Sequence, residues 1–209
     1  MRRITACAAA LLCCAIACSK QEASPTQSED SRPLLGSFRS PVDLPLPPFE
    51  FTDQDGRTVT RETLSGKVWI ANFIFIHCAG PCPDMSAAMS KIQAESSGWK
   101  DFALLTFSVD PVRDTLPDLK AYGERYGADH KRWWFLRSTS EAVGALQAEG
   151  FKIGDPTEPA NHSERFCLVD QRGHVRGYYN AREATERAAL LADADKLLRG
   201  EPPQRKAGQ

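Results

Sequence analysis

The sequence predicts a three-layer α/β domain with a mixed central sheet. Two nearly unbroken apolar runs, residues 68–76 and 102–109, read as strands buried on both faces. Each leads into a stretch of helical periodicity, and the C-terminal third carries a hairpin pattern and a last helix. Parallel crossovers followed by an antiparallel hairpin give a sheet of mixed direction. With 209 residues, 42% of them hydrophobic, the chain can bury one full core, so one folded domain is expected.

Residues 49–52 and 59–61 flank Asp53-Gln54-Asp55-Gly56 and read as a hairpin on an Asp-Gly turn. Ahead of them, Pro45, Pro47 and Pro48 stiffen the chain. The first buried strand, 68–76, precedes a helix over 84–96, and the second, 102–109, precedes a helix over 115–126. Asp114 or Thr115 caps that second helix, which has Pro117 near its start and apolar Leu119 and Tyr122. Residues 133–136 form a short strand, with Trp133 and Trp134 on opposite faces. Ser138 and Glu141 make a capping-box pattern before a helix carrying Ala142 and Leu146. Residues 166–169 and 175–179 flank Asp170-Gln171-Arg172-Gly173 as a second hairpin. Asn180 with Glu183 caps a last helix carrying Leu190, Leu191, Leu197 and Leu198 and stopping at Gly200. This order of elements is thioredoxin-like, although a fold alone fixes no activity.

Residues 1–17 read as a lipoprotein signal peptide: Arg2 and Arg3, an apolar run, then Ala15-Ile16-Ala17-Cys18. Small residues before a cysteine resemble a bacterial lipobox, so Cys18 is the expected lipidation site and the lipid the expected membrane anchor. An ordinary cleaved signal with a chance cysteine is the plainer alternative. Residues 18–44, dominated from Ser19 to about Pro41 by Ser, Gln, Glu, Asp and Pro, read as a flexible tether. The domain follows over 45–199, with a disordered tail over 200–209. The expected location is the bacterial periplasm, on a membrane. Loss of residues 1–17 removes two arginines and no acid, moving the formal charge from -1 to -3. No basic block suggests nucleic-acid binding. With Cys18 acylated, the remaining thiols Cys78, Cys82 and Cys167 are odd in number, so in an oxidising compartment at least one is unpaired.

The chemistry concentrates in Ile76-His77-Cys78-Ala79-Gly80-Pro81-Cys82-Pro83-Asp84, between the first buried strand and its helix. The crevice beyond a strand's carboxyl end is where α/β sheets bind ligands, and a helix N-terminus there favours thiolate over thiol. Three residues separate the cysteines, against two in a thioredoxin-type redox motif, and the longer loop lets the sulfurs sit apart around a metal. On its own this spacing leaves an inert disulfide, a redox couple and metal ligation open. Two soft thiolates suit Cu(I) or Zn(II), and one added imidazole gives a site that holds Cu(I) and tolerates Cu(II). Four histidines could supply it: His77, His130, His162 and His174. His162 lies in the polar loop before the second hairpin, which in a thioredoxin-like sheet comes up beside the cysteine loop; a merely solvated histidine is the plain alternative.

Four separated motifs then bring a resemblance into view. They are Gly66-Lys67-Val68; Phe73-Ile74-Phe75-Ile76-His77-Cys78 with Cys82-Pro83; Ser108-Val109-Asp110-Pro111 with Arg113-Asp114-Thr115; and His162-Ser163 with Leu168-Val169-Asp170, Gly173 and Arg176-Gly177-Tyr178-Tyr179. Over about residues 45–199 the chain resembles the Sco/SenC family of copper-binding proteins. The resemblance implies a thioredoxin-like fold, one copper ion on Cys78, Cys82 and His162, and a part in maturing the binuclear copper centre of cytochrome c oxidase. His77 falls where the family often has a histidine that is not a ligand. The family loop commonly carries an acidic residue between the cysteines, where this chain has Ala79, Gly80 and Pro81. That departure bears on partner docking or redox tuning, not on the sulfur ligands.

Other residues have competing roles. Asp110 could orient a ligand from behind or cap the turn before Pro111. Met85 and Met89 share a helix face with Cys82 and are soft donors, but core packing is the better reading. Cys167 reads as a small buried hydrophobe. The leading expectation is a copper metallochaperone, not an enzyme, delivering Cu(I) or Cu(II) to the copper-bearing oxidase subunit. Because the periplasm favours the Cys78–Cys82 disulfide, a thioredoxin-like periplasmic reductase is an expected partner. The alternatives are a thiol-disulfide oxidoreductase acting on acceptor cysteines during oxidase assembly and, ranked last, a thiol peroxidase.

Overall fold

The two long apolar runs lie side by side in the middle of an eight-stranded sheet. The structure is a computed structural model, and it describes residues 43–155, 157 and 163–201. Along the chain are β1 (Leu44–Pro45), β2 (Glu50–Asp53), β3 (Thr58–Thr60), β4 (Val68–Ile74), α1 (Cys82–Glu95), β5 (Phe102–Ser108), α2 (Leu116–Arg125), β6 (Trp133–Arg137), α3 (Ser140–Ala145), β7 (Phe166–Val169), β8 (His174–Tyr179) and α4 (Ala184–Leu198). The sheet order is β1-β8-β7-β4-β5-β6-β2-β3. Strands β4, β5 and β6 run parallel, and every other pairing is antiparallel. This is the expected mixed, thioredoxin-like α/β architecture.

Alternation along β4 divides the core. Val68, Ile70 and Ile74 join one apolar cluster with residues of α1, α2 and α4, while Trp69, Ala71 and Phe73 join a second with Phe51, Val59, Val143 and Phe151. Every residue of β4 and β5 is buried, as strands covered on both faces require. Trp133 is buried in the first cluster and Trp134 packs, partly exposed, on the second, on opposite faces as expected. The register Ile74↔Ser108 brings the ends of β4 and β5 to one edge, so the loops that follow them are neighbours.

Several boundaries differ from the sequence expectation, each for a local reason. Strand β4 stops at Ile74, so Phe75 and Ile76 belong to the cysteine loop. Helix α1 starts at Cys82, two residues early, because Pro83 in the first turn gives up an N–H that the helix does not use. Thr115, not Asp114, caps α2: its Oγ1 accepts the Asp118 N–H at 3.3 Å. Thr139, not Ser138, caps α3, accepting the Ala142 N–H at 3.2 Å, while Ser138 donates to the Glu50 carbonyl. A π-turn, Leu146–Gly150, continues α3. Asn180 bonds Glu183 at 2.8 Å but neither side chain caps α4, which begins at Ala184. The stop at Gly200 holds: φ is +77°, and Glu201 N–H reaches back to the Lys196 carbonyl at 2.9 Å. Strand β1 adds an edge pairing, Leu44↔Val175, that the prolines concealed. The expected signal peptide, Cys18, residues 18–42 of the tether and residues 202–209 of the tail lie outside the described residues. No helix among the described residues is long and apolar enough to cross a membrane.

Candidate metal centre

The loop that leaves β4 turns back on itself, with the Cys78 N–H donating to the Phe75 carbonyl at 3.3 Å. That turn leaves Cys78 partly exposed, while Cys82, the first residue of α1, is fully buried. Neither is bridged by a disulfide, and nor is Cys167. The Gly80 N–H donates to Cys78 Sγ at 3.3 Å. For Cys78, burial works against ionisation, and so does the charge of Glu164. Hydrogen bonds from the Cys82 thiol, the Cys82 N–H and the Gly80 N–H outweigh both and hold it below the ordinary thiol range. Burial foremost, then the hydrogen bond to Cys78, pushes the Cys82 thiol up to about 12. The pair is therefore asymmetric, a thiolate-prone sulfur at the surface and a protonated sulfur behind it.

Two soft donors coupled by a hydrogen bond at a helix N-terminus fit a soft cation such as Cu(I). Among the described residues no group of three His, Cys, Asp or Glu side chains could hold a metal ion. The expected third ligand, His162, lies outside the described residues. The segment that follows it begins at Ser163, and Glu164 there pairs with Arg182.

The SCO1/SenC family model matches residues 41–199. The chain belongs to the SCO1/SenC family. It is 32% identical over 162 residues to the SCO1 protein homolog of Bacillus subtilis, covering 75% of this chain and 84% of that protein. It is 29% identical over 185 residues to a Stutzerimonas stutzeri protein named for copper binding, covering 82% and 86%. Among solved structures, a SCO1/SenC family lipoprotein from Bacillus anthracis superposes with TM-score 0.70 at 32% identity, over 76% of this chain and 98% of that one. BsSco, a member of the Sco family of cytochrome c oxidase assembly proteins in which a disulfide switch is identified, superposes with TM-score 0.67 at 30% identity, over 77% and 96%.

In this SCO1/SenC protein the remaining candidates fall into place around the cysteine loop or away from it. Met85 and Met89 are fully buried in the core, where they pack α1 on the sheet. Cys167 is fully buried in β7, and burial pushes its thiol well up, so it is an inert packing residue. His130 packs edge-on to Phe135, and His174 bonds Asp43 at the sheet edge. Asp110 pairs with Arg113 through its side chain, and its backbone carbonyl accepts the Arg113 and Asp114 N–H groups in the turn after β5.

The acid beneath the cysteine loop is one to which sequence reasoning gave no role at the site, reading it as a candidate helix cap and as part of a resembling motif. Asp114 is fully buried; its Oδ2 accepts from Ser108 Oγ at 2.7 Å and from the Ile76 N–H at 3.3 Å. Its Oδ1 lies 3.7 Å from Nδ1 of His77, whose side chain is 58% exposed. Burial raises the Asp114 carboxyl, and the bonds from Ser108 and Ile76 offset that in part. The available signal was redundancy: two candidate caps in succession for one helix leave one side chain free for other work.

Proposed function

We propose that this protein is an exported, membrane-anchored copper chaperone that carries one copper ion, Cu(I) or Cu(II), on Cys78, Cys82 and His162 and passes it to the copper-bearing subunit of cytochrome c oxidase. The observation that carries this reading is the pair of unbridged sulfurs coupled by a hydrogen bond where α1 begins. The copper-binding relative and the oxidase-assembly relative support the cargo and the destination, and the B. anthracis lipoprotein supports the anchor on Cys18.

Each residue has a distinct task. Cys78 meets the incoming ion first, because its sulfur is accessible and the more readily ionised. Cys82 gives up its proton as the ion arrives, since a coordinated thiol is deprotonated outright. The imidazole of His162 closes the site. A low coordination number lets an acceptor's ligand add before one of these leaves, so free copper is never released. Loading requires both thiols reduced, which in the periplasm calls for a thioredoxin-like reductase.

The same asymmetry favours a second reading, a thiol-disulfide oxidoreductase. Cys78 thiolate would attack an acceptor disulfide and release one acceptor thiol. Cys82 would then displace the second, leaving Cys78–Cys82 oxidised and the acceptor reduced by two electrons. The disulfide switch of BsSco supports this role. His162→Ala separates the two: it abolishes stable copper binding and spares disulfide exchange if the imidazole is a ligand, whereas unchanged copper stoichiometry and affinity refute the ligand set.

A further inference from the structure

Asp114 is a fully buried acid that neither reading uses. It does not cap α2, because Thr115 does. Of its two oxygens, Oδ2 is hydrogen-bonded to Ser108 and Ile76, while the buried Oδ1 has no hydrogen-bond partner and faces His77 at 3.7 Å. That gap is beyond a direct hydrogen bond but closes with a small turn of the exposed ring. An oxygen kept from water without a hydrogen bond costs free energy, so its aim at the His77 ring is informative.

The other end of the contact matters as much. Ile76 is the last residue but one before Cys78, at the point where the chain has left β4. Its N–H, released from the sheet ladder, is taken up by Asp114. The Asp114 N–H in turn donates to the Asp110 carbonyl at 2.9 Å, which fixes the carboxylate's own loop. The cysteine loop is thus moored to the neighbouring loop by a side chain 38 positions away.

We propose that Asp114 is a positioning residue for the metal centre: one oxygen pins the Ile76 amide so that the loop presents Cys78, and the other orients the imidazole of His77 beside it. The link to metal rests on the copper reading above; the mooring of the loop does not.

The test compares Asp114→Asn and Asp114→Ala with the wild type in the reduced, copper-free protein. Amide exchange at Ile76 and the ring 15N shifts of His77 are followed by NMR, on the alkaline side of the ordinary histidine range. Asparagine keeps an oxygen for Ile76 and Ser108 but no anion for His77, whereas alanine removes both. In the alanine variant, Ile76 exchanges about tenfold or more faster, the loss expected for a hydrogen bond to a charged acceptor, while amides within α1 keep their protection. In the asparagine variant Ile76 stays near wild type and the His77 ring loses its Nδ1–H tautomer bias. Wild-type exchange and ring shifts in the alanine variant would overturn the proposal. If alanine unfolds the protein, the His77 shifts of the asparagine variant decide it, unchanged shifts again overturning it. Titration with Cu(II) then reads the metal link: the sulfur-to-copper absorption moves in the variants while one ion still binds, and an unmoved band refutes that link. A wild type that binds no copper refutes the chaperone reading and leaves the copper-free readouts to decide the mooring.

Discussion

The Cys82 thiol and the Cys78 sulfur share a hydrogen bond that pulls their ionisation apart, Cys78 falling below the ordinary thiol range and Cys82 rising to about 12. Burial of Cys82 against the core sets its rise, while for Cys78 burial acts the same way and is outweighed by hydrogen bonds from the Cys82 thiol and from the Cys82 and Gly80 N–H groups.

Iodoacetamide therefore discriminates between them. The thiolate is the nucleophile, so alkylation of Cys78 rises with pH through a midpoint below that of a free thiol, about 8.5. Cys82 stays unmodified across the same range unless the protein unfolds. Peptide mapping after brief labelling at neutral pH checks this; equal labelling of both cysteines contradicts it.

The acid beneath the loop predicts a pH dependence of stability. Burial raises the folded-state pKa of Asp114, so its protonated form is the better tolerated. Its contribution is fully present below the unfolded carboxylate pKa and is lost as pH rises through the higher folded value. Asp114→Asn, which cannot ionise, gains stability relative to the wild type as pH climbs through that window. Urea midpoints measured at stepped pH read the difference, and a constant or shrinking gap rules it out.

A buried polar chain crosses β4, β5 and β6. Trp133 Nε1 donates to Thr106 Oγ1 at 2.9 Å, and Thr106 donates to Asn72 Oδ1 at 2.8 Å. Thr106→Val keeps the volume and strands both neighbours, so it costs about 2–4 kcal/mol by urea denaturation with the slope unchanged. A loss under about 0.5 kcal/mol would show that the chain is not coupled in this way.

Helix α2 approaches β6 so closely that a methyl group at Gly123 would sit 2.6 Å from the Phe135 ring. The gain in helix propensity for Gly123→Ala, about 1 kcal/mol, is outweighed by overpacking of about 1–3 kcal/mol. The expected outcome is a lower Tm by scanning calorimetry, and a higher Tm would mean the ring has room to turn.

The strands at the centre of the sheet were legible because β4 and β5 are apolar on both faces, a pattern no exposed element shares. Helix starts were less so, since Asp114 with Thr115 and Ser138 with Thr139 present adjacent residues of equal capping chemistry, and packing chooses between them. Strand β1 was hidden because its pairing is made by only two residues, and Pro45 with the prolines after it reads as an extended lead-in. At the site, the cysteines were visible through their spacing and place after a buried strand. The contact of Asp114 with Ile76 was not, because it joins two loops whose proximity comes only from the β4–β5 register.

The most direct measurement is an anaerobic titration of the reduced protein with Cu(I) and with Cu(II), followed by metal analysis and absorption spectroscopy. One equivalent of copper bound, with a sulfur-to-copper charge-transfer band that vanishes in Cys78→Ser and in Cys82→Ser and a complex that no longer holds in His162→Ala, is the predicted result. Absence of binding, or full binding that persists without His162, contradicts it.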